Sequence, residues 1–178
     1  TGTGAGTTNS FYQGGAANVA GAGIPLGFNF SYNCISYSTI GISTNGFVWF
    51  GTGNPAPTAI GVLSNASSNL GGAGTIGGVV AAFAGNTATM VGAAATSYIR
   101  YTATPTGVSP NRIFKVEWRG YKVNAGNGNA TIPSYQLWFY ENNGKIEEYV
   151  ANMSTLLIST TVQGQIGIRG TSNADVRC

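Results

Sequence analysis

The sequence predicts an all-β protein, an antiparallel β-sandwich of jelly-roll-like form with about 8–10 short strands. Apolar and polar residues alternate with a period of two in several runs, which is typical of half-buried strands. Turn-forming residues separate these runs, since the chain of 178 residues contains 28 Gly. Helical periodicity is absent apart from residues 153–159, where a single helical turn is expected.

The length fits a single β-sandwich domain over residues 1–178. Residues 1–23 form a Gly-rich segment of low complexity, which we expect to be extended and to supply at most an edge strand. Residues 51–75 are predicted to form a long loop, and loops of this length are usually functional or packed against another surface.

The first clear strand is predicted at Ile24, where apolar residues occupy alternate positions up to Phe30. Two further β-rich runs flank Asn45-Gly46, in the stretch from Ser38 to Gly51. Asn-Gly is a strong hairpin signal because both residues tolerate positive φ. We therefore predict a β-hairpin that turns at these two residues.

The middle of the chain continues the strand pattern. Residues 77–85 read as a short buried strand, and residues 89–104 as a strand or a hairpin bent at its small residues. Residues 112–123 show the clearest two-faced alternation, which predicts an antiparallel strand with Phe114, Val116 and Trp118 inside and Lys115, Glu117 and Arg119 in water.

The last strands are predicted from a second hairpin and a final alternating run. Residues 134–150 form the hairpin, which closes at 142–144, and aromatic residues occupy both of its faces. Residues 162–170 place Val162, Gly164, Ile166 and Ile168 on one face of a strand.

Several of these motifs, taken in order, resemble a known family. They are Ser43-Thr44-Asn45-Gly46, Val116-Glu117-Trp118 and the hairpin from Tyr140 to Glu147. Over residues 24–170 the chain resembles a β-sandwich module of large secreted surface proteins of Bacteroidota-type bacteria, which use type nine secretion. The same order is faintly similar to the extracellular nidogen-type module. The resemblance implies extracellular display with an adhesive or structural role and no known catalysis.

The distribution of charge along the chain indicates which classes of function to expect. Charged residues make up 7% of the chain and the formal net charge is +3, yet the first 99 residues carry no charge. The basic residues alternate with Glu or stand alone, so no clustered patch for nucleic acid is predicted. No apolar run is long enough to span a membrane as a helix. A surface with so few charges favours association over dispersal.

Catalytic and metal chemistry are not expected. The chain has no His and only five acidic residues. Glu147 and Glu148 are adjacent on a predicted strand and face opposite ways, which leaves Glu117 with either of them as the remaining carboxylate pair. Ser43 lies in a stretch that approximates a nucleophile elbow, but it lacks the final Gly, the following helix and a His. We expect a non-enzyme without metal or cofactor.

Two cysteines, Cys34 and Cys178, are present. A disulfide between them within one chain is the simplest interpretation. Two reduced thiols or a link to a neighbouring subunit remain alternatives, and an oxidising compartment suits both disulfide forms.

Two functions compete for a chain with these features. The first is self-association with identical subunits in an extracellular filament, sheath or layer, with a candidate assembly surface at Phe11, Tyr12, Asn54, Pro55, Leu63 and Leu70. The second is a glycan-binding module of a larger cell-surface adhesin, with candidate contacts at Trp49, Trp138 and Tyr140. Core packing of the tryptophans is the simpler alternative to a contact role.

Overall fold

A computed structural model describes residues 11–12, 23–43, 46–52, 78–84, 90–92, 98–123, 134–151 and 165–170. These residues form twelve strands: β1 (Phe11–Tyr12), β2 (Ile24–Tyr32), β3 (Ile35–Ser43), β4 (Phe47–Phe50), β5 (Val79–Ala84), β6 (Met90–Gly92), β7 (Tyr98–Tyr101), β8 (Ile113–Arg119), β9 (Tyr121–Val123), β10 (Ser134–Tyr140), β11 (Ile146–Ala151) and β12 (Gln165–Arg169). No helix in this part of the chain is long and apolar enough to cross a membrane.

The strands form two principal antiparallel sheets, which confirms the predicted all-β sandwich. The six-stranded sheet has the order β1-β3-β4-β5-β12, with β2 also paired to β3. The four-stranded sheet has the order β11-β10-β8-β7, and β6 and β9 form a separate pair. Most neighbours in each sheet are close in sequence, and β12 returns from the far end of the chain to β5.

More strands are present than the sequence pattern indicated, because two predicted runs are divided. Residues 89–104, predicted as one strand or a bent hairpin, contain β6 and β7, which lie in different sheets. Residues 112–123 are interrupted at Gly120, which has a φ of 69° and separates β8 from β9. The short β9 then pairs with β6 and does not continue in the sheet of β8.

The first predicted hairpin is confirmed as β3 and β4, with a different loop length. Ser43 pairs with Phe47, so the connection comprises residues 44–46 and is one residue longer than a two-residue Asn-Gly turn. Gly46 adopts a φ of 83°, and a Cβ there would lie 2.3 Å from the Phe83 carbonyl oxygen. Glycine at this position therefore satisfies both the backbone conformation and the close approach of β5.

A further tight turn joins β2 to β3. Tyr32 pairs with Ile35, and the two residues between them, Asn33 and Cys34, have φ values of 48° and 62°. Positive φ at both central positions is the geometry of a type I′ hairpin turn. Cys34 is disulfide-bonded, and Cys178, the only other cysteine in the sequence, lies outside the described residues.

The core lies between the two principal sheets and is rich in aromatic rings. Phe30 and Phe50 from the six-stranded sheet pack edge-on against Phe139 of β10, with ring centroids 5.5 and 5.9 Å away. Trp118 of β8 is fully buried, and its indole N–H donates a 2.8 Å hydrogen bond to the Ser43 carbonyl. Ser43 is itself buried at the end of β3, so its hydroxyl is not presented to solvent.

Candidate functional site

The outward side of the four-stranded sheet carries most of the described charged and aromatic surface groups. We call it the aromatic face, and it consists of Tyr98, Arg100, Lys115, Glu117, Arg119, Gln136, Trp138, Tyr140, Glu147 and Tyr149. Strict alternation produces it, because every second residue of β8 and β10 is buried and the residues between remain partly exposed.

The strand register arranges this face in rows. Gln136 of β10 lies between Glu117 of β8 and Tyr149 of β11. In the next row, Trp138 lies between Lys115 and Glu147. Directly opposed side chains on neighbouring strands are close enough to interact, so the pairing places cations, carboxylates and rings in mutual contact.

Trp138 is at the centre of the aromatic face and is held on several sides. The ammonium of Lys115 lies 3.6 Å from its ring centroid, a cation–π contact. The ring of Tyr149 lies 4.5 Å away, centroid to centroid. The indole N–H donates a 2.7 Å hydrogen bond to Gln136 Oε1. Because Trp138 remains partly exposed, a ligand on this face meets a ring of fixed orientation.

The carboxylates of this face are fixed by hydrogen bonds and ion pairs. Gln136 Nε2 donates to Glu117 Oε1 at 2.9 Å, and Arg100 Nε lies 3.0 Å from Glu117 Oε2. Glu147 accepts from Lys145 and from the hydroxyls of Tyr140 and Tyr149. These contacts, with Lys145 first, lower the pKa of Glu147 to about 2. Glu147 is therefore an ionised acceptor at neutral pH.

The strand register also places the carboxylates that the sequence singles out as candidates for acid–base chemistry. Glu147 pairs with Trp138 and Glu148 with Leu137, so the two carboxylates lie on opposite faces of β11, as the sequence predicts. Glu117 and Glu147 share a face but are two strands apart, which places their Cα atoms about 12 Å from each other.

Apart from the aromatic face, a concave surface lies where the four-stranded sheet meets β2. It has a volume of about 520 Å³ and includes Arg112 and Glu141 in its lining. Arg112 donates to Glu141 through Nε at 2.8 Å and through a terminal nitrogen at 2.5 Å, and its other terminal nitrogen donates to the Gly27 carbonyl at 2.6 Å. The hydrogen bonds from the Arg112 side chain lower the pKa of Glu141 to about 2. Both charges are thus engaged in joining the sheets.

The predicted glycan contacts are divided between the surface and the interior. Trp138 and Tyr140 belong to the aromatic face and are partly exposed. Trp49 is only 3% exposed and packs on Gly41 of β3, so it offers no stacking surface to a ligand. Both sides of β4 are buried, and both members of the Trp49 and Phe47 pair are therefore internal.

The predicted assembly surface is described only in part. Phe11 and Tyr12 form β1, which pairs with Ser43 and Ile42 at the end of β3. The remaining members of that surface, Asn54, Pro55, Leu63 and Leu70, lie outside the described residues, as does most of the predicted 51–75 loop.

Three residues of the aromatic face were not among the predicted site residues. These are Lys115, Arg100 and Tyr149. Tyr149 follows from the hairpin register, which places it opposite Gln136. Lys115 was expected to face water, but its position beside Trp138 follows only from the pairing of β8 with β10. Arg100 follows only from the pairing of β7 with β8, a contact that the sequence pattern left undetermined.

Comparison with known proteins gives one match. The model of a family described as NIDO related matches residues 3–177. No curated protein and no solved structure matches the chain.

Proposed function

Because the chain belongs to the NIDO-related family, whose domains are typically extracellular, we propose that it is a non-catalytic extracellular module that binds glycans through the aromatic face. The observation that carries the proposal is the row built around Trp138. There a partly exposed indole is surrounded by fixed cations, amides and carboxylates.

The chemistry of this face suits sugars. A pyranose ring presents apolar C–H groups that pack on aromatic side chains, and its hydroxyls need both donors and acceptors. The aromatic face supplies rings at Trp138 and Tyr149, donors at Lys115 and Arg100, and a carboxylate acceptor at Glu117. Since these groups already hold one another in place, binding costs little side-chain ordering.

A glycan array probed with the full chain tests this proposal. We expect binding to a defined subset of glycans, and a loss of at least about tenfold in affinity for Trp138→Ala and Tyr149→Ala. Ile168→Ala, which truncates an apolar side chain that is 63% exposed on β12, serves as the control and should bind normally. An array without hits, or equal binding by all the variants, contradicts the proposal.

Self-association with identical subunits is the second candidate, and the edge strand β12 favours it. Among the described strands β12 pairs only with β5, and it exposes Ile166 by 54% and Ile168 by 63%. An edge strand with exposed apolar residues is a template for pairing with another chain. In the filament, sheath or layer proposed here, such pairing would join one subunit to the next.

Sedimentation velocity distinguishes this second candidate. We expect concentration-dependent assembly of the wild-type chain, and its loss in Ile166→Lys and Ile168→Lys, because charge on an edge strand opposes pairing. Val108→Lys changes another exposed residue, on the loop between β7 and β8, and should leave assembly intact. A wild-type chain that stays monomeric at high concentration contradicts this candidate.

The proposed setting is a large secreted surface protein of a Bacteroidota-type bacterium exported by type nine secretion. Its support is the order of motifs in residues 24–170. Mass spectrometry of surface, secreted and cytoplasmic fractions from the native source tests it, and we expect the peptides of this chain in the first two. Peptides confined to the cytoplasm contradict it.

A further inference from the structure

A small cavity opens on the aromatic face between β7, β8 and β10. Its volume is about 170 Å³, and it is lined by Arg100, Tyr101, Thr102, Lys115, Glu117 and Gln136. Sites for whole drug-sized ligands usually measure about 300–1,000 Å³. This cavity therefore suits a single residue or functional group of a longer ligand.

The charges that line the cavity do not balance. It contains the cations Arg100 and Lys115 and the anion Glu117. The charge of Glu117 is already paired with that of Arg100, because Arg100 Nε lies 3.0 Å from one carboxylate oxygen, and Gln136 Nε2 donates to the other at 2.9 Å. The positive charge left over in this lining belongs to Lys115.

Lys115 is positioned to donate to a ligand. Its ammonium forms no ion pair with any residue in the described part of the chain. Its nitrogen lies instead 3.6 Å from the centroid of the Trp138 ring. The face of the ring attracts the cation, but it does not accept the directed hydrogen bonds that a carboxylate would accept. The backbone at this position is also fixed, since the Lys115 N–H donates to Thr102 Oγ1 at 2.9 Å.

We propose, building on glycan binding as the function of the aromatic face, that this cavity receives the anionic group of an acidic sugar residue. The carboxylate or sulfate accepts hydrogen bonds from Lys115 and from the exposed side of the Arg100 guanidinium. The neighbouring hydroxyls of the sugar meet Glu117 and Gln136, and its ring lies toward Trp138.

An acidic peptide fits this site less well than an acidic glycan. Glu117 and Glu147 stand on the same face as Lys115, and they repel a run of acidic side chains. The same carboxylates accept hydrogen bonds from sugar hydroxyls, so a ligand that combines hydroxyls with isolated anionic groups complements the whole face.

Calorimetric titration of the full chain tests the inference with four probes of similar length. These are an oligogalacturonate, a sulfated carrageenan oligosaccharide, a neutral cello-oligosaccharide and an oligoglutamate. We expect the carboxylated or the sulfated sugar to bind at least about tenfold more tightly than the neutral one, as one charge-assisted contact provides. The tighter of these two identifies the anionic group.

Matched variants connect the preference to this cavity. Lys115→Met keeps an unbranched side chain against Trp138 but removes the charge, and it should abolish the preference for acidic sugars. Lys115→Arg should retain it. Lys122→Met removes an equal charge from β9 in the two-stranded sheet and should leave it unchanged. Circular dichroism and tryptophan fluorescence verify that each variant is folded.

The outcomes separate this inference from the function on which it rests. Binding to neutral and acidic sugars with equal affinity, unaffected by Lys115→Met, overturns the inference and leaves glycan binding intact. Binding to none of the sugars overturns the inference, and the glycan array then decides whether glycan binding itself fails. Binding to oligoglutamate as tightly as to the acidic sugars, with the same loss in Lys115→Met, replaces the sugar by an acidic peptide.

Discussion

At the scale of single residues, Glu148 is the group whose environment is least suited to its charge. It points inward from the edge strand β11, opposite the buried Leu137. Its Oε1 atom is buried and has no hydrogen-bond partner. Burial raises the pKa of Glu148 to about 7. An inward carboxylate on an edge strand also opposes pairing with another chain, so Glu148 helps to protect the edge of β11.

The stability of the protein should therefore decrease with rising pH in a defined window. The folded-state pKa of Glu148 is about 7 and its ordinary value is 4.5, so the folded state binds more protons between these values. The free energy of unfolding falls as the pH rises through this range. We expect a loss of about 1–2 kcal/mol, less than the whole shift implies because the side chain still contacts solvent.

Denaturant unfolding of the wild-type chain and Glu148→Gln at pH 5 and pH 8 measures this effect. Glu148→Gln should be more stable than the wild-type chain at pH 8, and its free energy of unfolding should not fall between pH 5 and pH 8. Glu141 and Glu147 contribute in the opposite sense, because their pKa values are lowered to about 2, and their stabilisation is lost only below about pH 4.5. A wild-type stability that rises steadily from pH 5 to pH 8 would contradict this assignment.

At the scale of elements, the β3–β4 hairpin depends on a glycine that faces a tryptophan. Gly41 pairs with Trp49, and a Cβ at Gly41 would lie 2.0 Å from the indole ring. The ring therefore occupies the space that any side chain at position 41 would need. This packing explains why Trp49 is internal, as the simpler interpretation of its sequence position expected.

Gly41→Ala should destabilise the protein by about 1–3 kcal/mol, as overpacking in a rigid core usually does. In a Trp49→Leu background the added methyl group meets a smaller side chain, so the same substitution should cost less. A double-mutant cycle measured by denaturant unfolding gives the coupling between the two positions. Ser38→Ala, at an exposed residue of β3, should change stability by no more than about 0.5 kcal/mol. Additive costs at positions 41 and 49 would refute the packing argument.

Elements with strict alternation could be predicted from the sequence, and elements that depend on backbone conformation could not. The faces of β8 and β10 follow directly from the order of their residues. The turn at Asn33 and Cys34 did not follow, because cysteine is not a usual residue for positive φ. Gly120 has a positive φ that ends β8, and an isolated glycine in an alternating run does not by itself reveal such a break.

At the scale of the whole molecule, the two principal sheets have different surfaces. The strands β1 to β5 lie in the first 99 residues, which carry no charge, and they all belong to the six-stranded sheet. The four-stranded sheet carries the charged aromatic face. The sequence showed this division of charge along the chain. Only the strand pairing shows that it largely coincides with a division between sheets, with Arg169 of β12 as a charged residue in the six-stranded sheet.

Only part of the aromatic face could be predicted from the sequence. Trp138 and Tyr140 were identified by their residue type and their place in a hairpin. Lys115, which contacts Trp138, lies on β8, and Arg100, which pairs with Glu117, lies on β7. Contacts between strands distant in sequence depend on topology that a residue pattern does not specify.

Trp118 is the residue that most directly joins the two sheets. It is fully buried, it stacks on Tyr135 with centroids 5.4 Å apart, and its indole donates to the Ser43 carbonyl across the core. Trp118→Phe removes that donor and leaves unfilled volume, and we expect a loss of about 1–3 kcal/mol in the free energy of unfolding.

The outward tryptophan of the adjacent strand is the matched control. Trp138→Phe alters the aromatic face but not the core, so its cost should stay within about 1 kcal/mol. Denaturant unfolding of both variants at the same pH gives the comparison. A greater loss for Trp138→Phe than for Trp118→Phe would mean that the outer network, and not the core, dominates the attachment of the sheets.

The return of β12 to β5 has a consequence for the timing of folding. Val79 to Ala84 pair with a strand that begins only at Gln165, so β5 lacks this neighbour until residues 165–169 have been delivered. Pairing between segments this distant in sequence slows folding. A protein that leaves the cell as an unfolded chain would therefore complete its larger sheet only after its last strand has been exported, which delays compaction until the chain is outside.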